Sequence, residues 1–458
     1  MTNNFYDDRR NENEEPGERQ GRGTSVPTRP PRERAVLVGA ETPGSPWKVE
    51  DSLNELEQLA LTADVEAVGR VTQKLSAPNP KTFVGKGKVE EVRQICVETD
   101  ATVVLFDDEL SPGQGRNLED ALGRMVVDRT ALILDIFARR ARTREGRLQV
   151  ELAQLEYRLP RLTRMWSHLS RQAVGGVGLR GPGETQLEVD RRQARERITH
   201  IKEEIEHVRR QRRVSRERRR SEGFPVVALV GYTNAGKSTL LNALSGSDVT
   251  TEDKLFATLD PTTRQVQTTS SGGVALWTDT VGFIQKLPTG LVAAFRATLE
   301  EINDADVLVH VIDITHPNAD EQAAAVRETL KALGADEKQV VYALNKSDRL
   351  APDGAHALAQ LELQMPDGYV SISASEGWGL SDLLERVQQI LDQDLSEMYV
   401  VVPYSQSALV DLFHQRGQVL EESYTEAGTG IHGRIPRRFA TMLERYSENG
   451  RSDPSVGS

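Results

Sequence analysis

The sequence is poor in cysteine and in long apolar runs. Cys96 is the only cysteine among 458 residues, which excludes an intrachain disulfide and a cysteine-based metal cage. No apolar run reaches the roughly 18 residues that a membrane-spanning helix needs, and residues 1–20 lack the apolar stretch of a signal peptide. We therefore expect a cytoplasmic protein that does not insert into a membrane.

The charge of the chain is distributed unevenly. The formal net charge is −12, yet residues 139–220 hold 23 Lys and Arg against 11 Asp and Glu, a local excess of 12 positive charges. Any contact with nucleic acid would therefore depend on this segment, because the rest of the chain is acidic.

The basic segment has the pattern of a helical hairpin. Two apolar series advance in steps of three and four residues, which is typical of helices that pack along a seam. Glycines and Pro182 separate the two series, so the chain is expected to turn there. The series are Leu148, Leu152, Leu155, Leu159 and Leu162, then Ala194, Ile198, Ile201, Ile205 and Val208.

The hairpin has two possible roles. A charged coiled coil can act as a solvated spacer. Against this, the charge excess has one sign, and Trp166 and His168 accompany arginines at the glycine-rich tip, which favours contact with RNA. The candidate RNA contacts are Arg171, Gly175, Gly176, Gly178 and Arg180.

Alternation of apolar strand and helix patterns predicts a multidomain α/β protein. The predicted domains are a small N-terminal α/β domain, the long helical hairpin, a doubly wound P-loop domain and a small C-terminal α+β domain. The predicted boundaries are a disordered tail at 1–34, then 35–130, 131–222, 223–395 and 396–444, with a second tail at 445–458.

A strand, a glycine-rich turn and a helix carry the clearest chemical signal. The apolar run 226–230 leads into Gly-Tyr-Thr-Asn-Ala-Gly-Lys-Ser-Thr at 231–239. This turn fits the P-loop pattern, in which backbone N–H groups and a helix N-terminus bind phosphates. Lys237 is expected to reach the β- and γ-phosphates, and Ser238 to bind Mg²⁺.

Two later motifs are expected to respond to the γ-phosphate. A threonine hydroxyl from residues 256–263 should complete the Mg²⁺ shell, and Thr258 is preferred over Thr262 and Thr263. Asp279 follows a predicted strand and should hold Mg²⁺ indirectly, while the N–H of Gly282 should meet the γ-phosphate.

The remaining motifs select the base. The Asp348 carboxylate can accept the N1–H and N2–H₂ groups of guanine, and adenine offers no such pair of donors. Ser373 to Ser375 should close over the guanine O6.

The predicted catalytic residues are Lys237, Thr258, Gly282 and Asn234, and the predicted Mg²⁺ ligands are Ser238 and Thr258. The predicted nucleotide-binding residues are Gly231, Tyr232, Thr233, Asn234, Ala235, Gly236, Lys237, Ser238, Phe256, Ala257, Thr258, Leu259, Asp260, Asp279, Thr280, Val281, Gly282, Asn345, Lys346, Ser347, Asp348, Ser373, Ala374 and Ser375.

Phe283 stands where many small GTPases carry a glutamine that orients water, and a phenyl ring cannot do this. Slow intrinsic hydrolysis is therefore expected, with water positioned by another group, a cation or a partner. The Asn234 amide oxygen could bind K⁺ beside the phosphates. A hydrogen bond within the turn explains Asn234 equally well.

Residues 175–186 form a glycine-rich run, Gly-Gly-Val-Gly-Leu-Arg-Gly-Pro-Gly-Glu-Thr-Gln. Together with the P-loop and the motifs at 256–261 and 279–283, this run resembles the HflX family of translational GTPases. The resemblance covers about residues 35–440. It implies GTP and GDP binding with Mg²⁺ at Ser238 and Thr258, and binding to the large (50S) ribosomal subunit and its rRNA. It also implies that the tip lies near the peptidyl-transferase region and that stalled or idle ribosomes are split. The tail before Ala35 departs from the family pattern.

Three classes of function follow from these observations. The first is a GTPase that splits ribosomes, and the second is a GTP-gated, RNA-binding assembly factor without splitting activity. The third, a structural adaptor without hydrolysis, is disfavoured by the intact Lys237, Ser238 and Asp279. A monomer is expected.

Overall fold

The computed structural model describes residues 32–44, 47–162, 186–221, 224–246, 255–268, 274–286, 301–350, 369–393 and 395–447. The candidate RNA contacts Arg171, Gly175, Gly176, Gly178 and Arg180 lie outside these ranges. The described parts form a multidomain α/β protein, which confirms the predicted fold class. Among them, no helix combines the length and the apolar character needed to cross a bilayer.

The N-terminal unit is a four-stranded parallel sheet with helices on both faces. Its strands are β1 (Glu33–Glu41), β2 (Val65–Lys74), β3 (Val103–Phe106) and β4 (Met125–Asp128), in the spatial order β2-β1-β3-β4. Successive side chains of a strand point to opposite faces. Leu37 therefore shares a core with helix α1 (Val49–Thr62), and Val38 shares one with α2 (Lys86–Glu98) and α3 (Pro112–Leu122).

Helix α4 (Arg129–Arg140) also belongs to this unit. Ile133 and Phe137 are buried in the same core as Leu56 of α1. The sequence prediction ends the N-terminal domain at residue 130 and assigns the residues that follow, including Arg139 and Arg140, to the basic hairpin. These arginines lie in the last turn of α4, whereas the apolar face of the helix packs onto the sheet.

The hairpin consists of α5 (Arg144–Arg158), a 3-10 turn (Leu159–Leu162) and α6 (Gln186–Ser221). Arg144 pairs with Glu204, and Glu151 further along α5 pairs with Arg197 further back on α6, so the two helices run antiparallel. The buried side chains between the helices come from both apolar series, and they are Leu148, Leu152, Ile198, Ile201 and Ile205.

The next unit is a six-stranded sheet in the order β10-β9-β8-β5-β7-β6. All neighbouring strands are parallel except β6 and β7. The central strand is buried on both faces: Leu229 shares a core with helices α7 and α9, and Val230 shares one with α8. The strands are β5 (Val226–Gly231), β6 (Thr262–Gln267), β7 (Val274–Asp279), β8 (Val307–Asp313), β9 (Gln339–Asn345) and β10 (Tyr369–Ser371), and the described helices are α7 (Lys237–Ser245), α8 (Ala319–Ala332) and α9 (Leu380–Gln393).

The C-terminal unit is an antiparallel sheet packed against two helices. Strands β11 (Leu395–Val402), β12 (Gln418–Thr425) and β13 (Gly428–Pro436) lie in the order β11-β13-β12, with helices α10 (Ser407–Arg416) and α11 (Arg437–Leu443). Val400, Phe413 and Ile431 are buried between the layers. Ser447 forms a β-bridge with Val400, so this unit extends beyond the predicted end at residue 444.

Candidate functional site

The P-loop joins β5 to α7 in a conformation that requires glycine at two positions. Gly231 has a φ of 151° and Gly236 a φ of 97°, both in the region that favours glycine. A Cβ on Gly231 would overlap the Val311 carbonyl, and one on Gly236 would overlap the Asn345 amide. The turn therefore lies tightly against the ends of β8 and β9, where ligands bind in sheets of this type.

A pocket opens between the P-loop, the segment that begins at Phe256 and the residues after β7. It brings together residues from three separate motifs, as a phosphate site requires. Asn234, which has a φ of 61°, is exposed at this pocket. The residues that line the pocket are Thr233, Asn234, Gly236, Lys237, Ser238, Thr239, Phe256, Ala257, Thr258, Thr280 and Gly282.

Lys237 is the buried cation of the pocket. Its Nζ donates to the carbonyl oxygens of Gly231 at 3.1 Å and Tyr232 at 2.8 Å. Burial lowers the pKa of Lys237 to about 8, although the nearby charge of Asp279 acts in the opposite direction. A lysine in this state gains from a phosphate anion, which would offset the cost of burying its charge.

Ser238, Thr258 and Asp279 form a compact oxygen cluster. The Ser238 hydroxyl donates to Asp279 Oδ2 at 2.6 Å, the Thr258 hydroxyl donates to the same oxygen at 2.9 Å, and the two hydroxyls lie 2.8 Å apart. Burial raises the pKa of Asp279. Its Oδ1 is buried and has no hydrogen-bond partner among the described residues. Hydroxyl and carboxylate oxygens are the ligands that Mg²⁺ prefers, so the cluster fits this ion.

The other candidate threonines occupy a different element. Thr262 and Thr263 lie in β6, and the Thr263 hydroxyl is 2.9 Å from that of Thr278. The geometry therefore favours Thr258 as the threonine of the candidate Mg²⁺ site.

Gly282 lies directly against the P-loop. A Cβ at this position would come within 2.8 Å of Thr233 Cα and 3.0 Å of Lys237 Nζ. Phe283 is buried, and its backbone accepts from the Thr233 N–H at 2.8 Å and donates to the Gly231 carbonyl at 3.1 Å. Its ring belongs to the apolar core, so it fixes the position of Gly282 by packing.

The candidate base-recognition motifs are held together by hydrogen bonds between loops. The Asn345 amide donates to the Ala235 carbonyl at 2.8 Å and accepts from the Ala374 N–H at 3.0 Å. Ser373 donates to Asp348 Oδ1 at 2.6 Å and lies 3.2 Å from the Ser375 hydroxyl. The loop that carries Asp348 is thus tied to both the P-loop and the Ser373 loop.

Lys346 and Ser347 also anchor the loop that carries Asp348. Lys346 has a φ of 68° and pairs with Asp313 at 2.6 Å, and the Ser347 hydroxyl donates to the Ile372 carbonyl at 2.9 Å. These contacts support the loop from behind, and the Asp348 carboxylate is anchored by Ser373.

Several residues of the predicted nucleotide-binding set direct their side chains elsewhere. Leu259 and Val281 are buried in the apolar core. The Asp260 carboxylate accepts from the N–H groups of residues 142 and 143, at the start of α5. The Tyr232 ring stacks on Trp47 of the N-terminal unit, with ring centroids 6.0 Å apart.

Contacts between the N-terminal unit and the nucleotide site were not predicted from the sequence. The Tyr232 hydroxyl donates to Glu55 and accepts from the Gln285 N–H at 2.7 Å. Lys286 pairs with Asp107 at 2.5 Å and Asp108 at 2.6 Å. The contacts with Glu55, Asp107 and Asp108 join residues that are 177 to 179 positions apart, and no motif or spacing in the sequence relates them.

Three family models match successive parts of the chain. Residues 50–138 match the model described as GTP-binding GTPase N-terminal, and residues 140–219 match GTP-binding GTPase Middle Region. Residues 226–346 match 50S ribosome-binding GTPase.

Similar proteins span most of the chain. GTPase HflX of Caldanaerobacter subterraneus subsp. tengcongensis is 48% identical over 417 residues, which cover 91% of this chain and 94% of that protein. GTPase HflX of Escherichia coli is 45% identical over 387 residues, which cover 84% of this chain and 90% of that protein. Among solved structures, a GTP-binding protein from Sulfolobus solfataricus in complex with GDP is 23% identical, covers 78% of this chain and 98% of that chain, and has a TM-score of 0.41.

Proposed function

This chain belongs to the HflX family of GTPases, and we propose that it binds the large ribosomal subunit and couples GTP binding and hydrolysis to the splitting of stalled or idle ribosomes. The observation that carries the proposal is that the domain matching a 50S ribosome-binding GTPase directly follows a basic helical hairpin in the chain. A cytoplasmic location and a monomeric state stay predictions from the sequence.

The pocket residues support the GTPase part of this proposal. Lys237 would neutralise charge on the β- and γ-phosphates, and the Gly282 N–H would donate to the γ-phosphate. Ser238 and Thr258 would hold Mg²⁺, with Asp279 behind them, and the ion would supply further neutralisation of the phosphates. The Asp348 carboxylate would accept the donors of guanine, which selects GTP over ATP.

Asn234 is proposed to hold a monovalent cation beside the phosphates. Its exposure at the pocket leaves its amide oxygen accessible, and Phe283 is buried in the apolar core, where it cannot orient water. We expect single-turnover hydrolysis to be faster in K⁺ than in Na⁺ buffer, and Asn234→Ala to remove the difference. Equal rates in both buffers would rule out this role and leave Asn234 as a turn residue.

The hairpin is proposed to supply the contact with rRNA. Its excess of positive charge would attract phosphate, and Arg171 and Arg180 would contact RNA at the tip. Arg171→Glu or Arg180→Glu should weaken ribosome binding and reduce its dependence on salt. If neither the affinity nor the salt dependence changes, the hairpin acts as a spacer.

Two measurements with purified ribosomes test the proposal as a whole. Co-sedimentation should show tighter binding to 50S subunits with a non-hydrolysable GTP analogue than with GDP. Light scattering on 70S ribosomes should then fall with time when the protein and GTP are added. Lys237→Ala is the control, because it removes the phosphate-binding cation and should abolish both effects. Nucleotide-dependent binding without any loss of scattering would favour the assembly factor.

A further inference from the structure

One short segment of the chain, residues 256–260, directs three side chains to three parts of the molecule. Phe256 packs on Phe137 of α4, with ring centroids 4.6 Å apart. The Thr258 hydroxyl donates to the buried carboxylate of the Mg²⁺ site at 2.9 Å. Asp260 reaches the start of the hairpin. The segment therefore joins the nucleotide site to the N-terminal unit and to α5.

The Asp260 carboxylate binds the N-terminal end of α5. Its Oδ2 accepts from the backbone N–H groups of Arg142 and Thr143, both at 2.9 Å. Its Oδ1 accepts from the Thr143 hydroxyl, which itself accepts from the Gly146 N–H at 3.0 Å. These N–H groups immediately precede the first helical residue, Arg144, so the carboxylate lies near the positive end of the helix dipole.

Gly146 makes this close approach possible. A Cβ at position 146 would overlap Oδ1 of Asp260. Glycine is a poor helix former compared with alanine. At this position, however, the missing side chain provides the space that the Asp260 carboxylate occupies.

We propose that Asp260 is a positioning residue that links Thr258 to the first turn of α5. Binding of GTP at the nucleotide site is thereby coupled to the position of the hairpin. Thr258 and Asp260 are only two residues apart, which limits how far one can move without the other. A movement of α5 that carries Asp260 with it therefore also shifts Thr258.

Coupling of this kind is reciprocal. GTP, which recruits Thr258 to the Mg²⁺ site, increases the fraction of molecules in which Asp260 caps α5. A partner that holds the hairpin in place increases the affinity for GTP relative to GDP. The inference rests on the proposed role of Thr258 in GTP binding, and it does not depend on ribosome splitting.

Gly146→Ala tests the link without altering Asp260 or the pocket. The new methyl group displaces the carboxylate, while alanine favours the helix. We expect a loss on the order of fivefold in affinity for a non-hydrolysable GTP analogue with Mg²⁺, and unchanged affinity for GDP. Fluorescent-nucleotide titration of the full chain measures both. The matched control is Gly115→Ala in α3, where a Cβ meets nothing within 4 Å and no change is expected.

A second variant shows whether the effect passes through the carboxylate. Asp260→Ala should give the same selective loss, and Gly146→Ala combined with it should add nothing, because no carboxylate remains to be displaced. In the unmodified chain, the GTP analogue should slow hydrogen exchange at the amides of residues 142 and 143 relative to GDP. Asp260→Ala should remove that difference.

The outcomes separate the possible failures. Equal losses for GDP and the GTP analogue would show a general defect of the pocket. Unchanged affinities in Gly146→Ala would refute the link between Asp260 and Thr258. A full-length chain that binds no guanine nucleotide would contradict the proposed function itself, and ribosome splitting plays no part in these measurements.

Discussion

Asp348 is held in a fixed orientation by a neighbouring loop. Ser373 is fully buried, donates to Asp348 Oδ1 at 2.6 Å and accepts from the Glu376 N–H at 3.2 Å. This chain of hydrogen bonds restricts the carboxylate before any base arrives. A preorganised acceptor loses less conformational freedom on binding, which would strengthen the proposed contact of Asp348 with guanine.

Asp348→Asn should therefore shift selectivity from GTP toward xanthosine triphosphate, because the amide presents a donor to the base edge. A hydrogen bond to a charged group contributes about 1.5–3 kcal/mol, so GTP affinity should fall roughly tenfold or more. Competition binding with the two nucleotides measures the shift. Asp336→Asn, in the exposed turn before β9 and so at the opposite end of that strand from Asp348, should have no effect. Retained GTP selectivity in Asp348→Asn would show that other residues read the base.

The sequence is informative about the pocket because each of its motifs is contiguous. A glycine, a lysine and a serine within one turn can face the same phosphate only if the turn has the P-loop geometry, as Gly231 and Gly236 require. Contacts such as Tyr232 with Glu55 could not be predicted in this way. They depend on how two different sheets of the molecule pack together, and a local pattern contains no information about that.

At the scale of elements, apolar periodicity predicted the hairpin helices but failed for strand β6. Strand β6 has the sequence Thr-Thr-Arg-Gln-Val-Gln and is an edge strand, with Val266 as its buried apolar residue. An edge strand is stabilised by backbone pairing, here with β7, and it needs few apolar side chains. Apolar periodicity alone therefore gives little signal for this strand.

Ile201→Ala tests the packing between the hairpin helices. Ile201 is fully buried between α5 and α6. Truncation of such a residue lowers the free energy of unfolding by about 2–5 kcal/mol. Here it weakens the packing between the two helices. We expect faster amide hydrogen exchange throughout α5 and α6, with little change in β5 or β8. Thr199→Ala, exposed on the same helix, should change stability by no more than about 0.5 kcal/mol. Unchanged exchange in Ile201→Ala would mean that the seam does not hold the hairpin together.

At the scale of the whole molecule, a buried ionic network joins the N-terminal unit to the nucleotide site. Arg129 is 1% exposed and donates to Asp107 at 2.7 Å and to Glu55. Burial lowers the pKa of Arg129 to about 10, so it stays charged at neutral pH. Tyr232 of the P-loop binds Glu55, and Lys286 binds Asp107. The two segments on either side of the phosphate pocket are therefore held by the same network.

Lys286→Met is expected to weaken this contact by a charge effect that depends on pH. Burial raises the pKa of Asp108, and Lys286 counteracts the rise. Without the lysine the pKa of Asp108 rises further above its value in the unfolded chain. A carboxyl group of this kind binds protons more readily when folded, so its cost to stability is greatest at high pH and is relieved as pH falls.

The loss of unfolding free energy in Lys286→Met should therefore be about 1–3 kcal/mol at pH 7 and smaller at pH 5. Urea denaturation of the full chain at the two pH values measures the difference. Lys74→Met removes a lysine from an exposed ion pair with Glu41 and should cost about 1 kcal/mol or less at either pH. An equal loss at pH 7 and pH 5 in Lys286→Met would show that the lysine stabilises the contact by packing. A loss that shrinks at low pH would show that charge pairing with the N-terminal unit holds the segment after Phe283 in place.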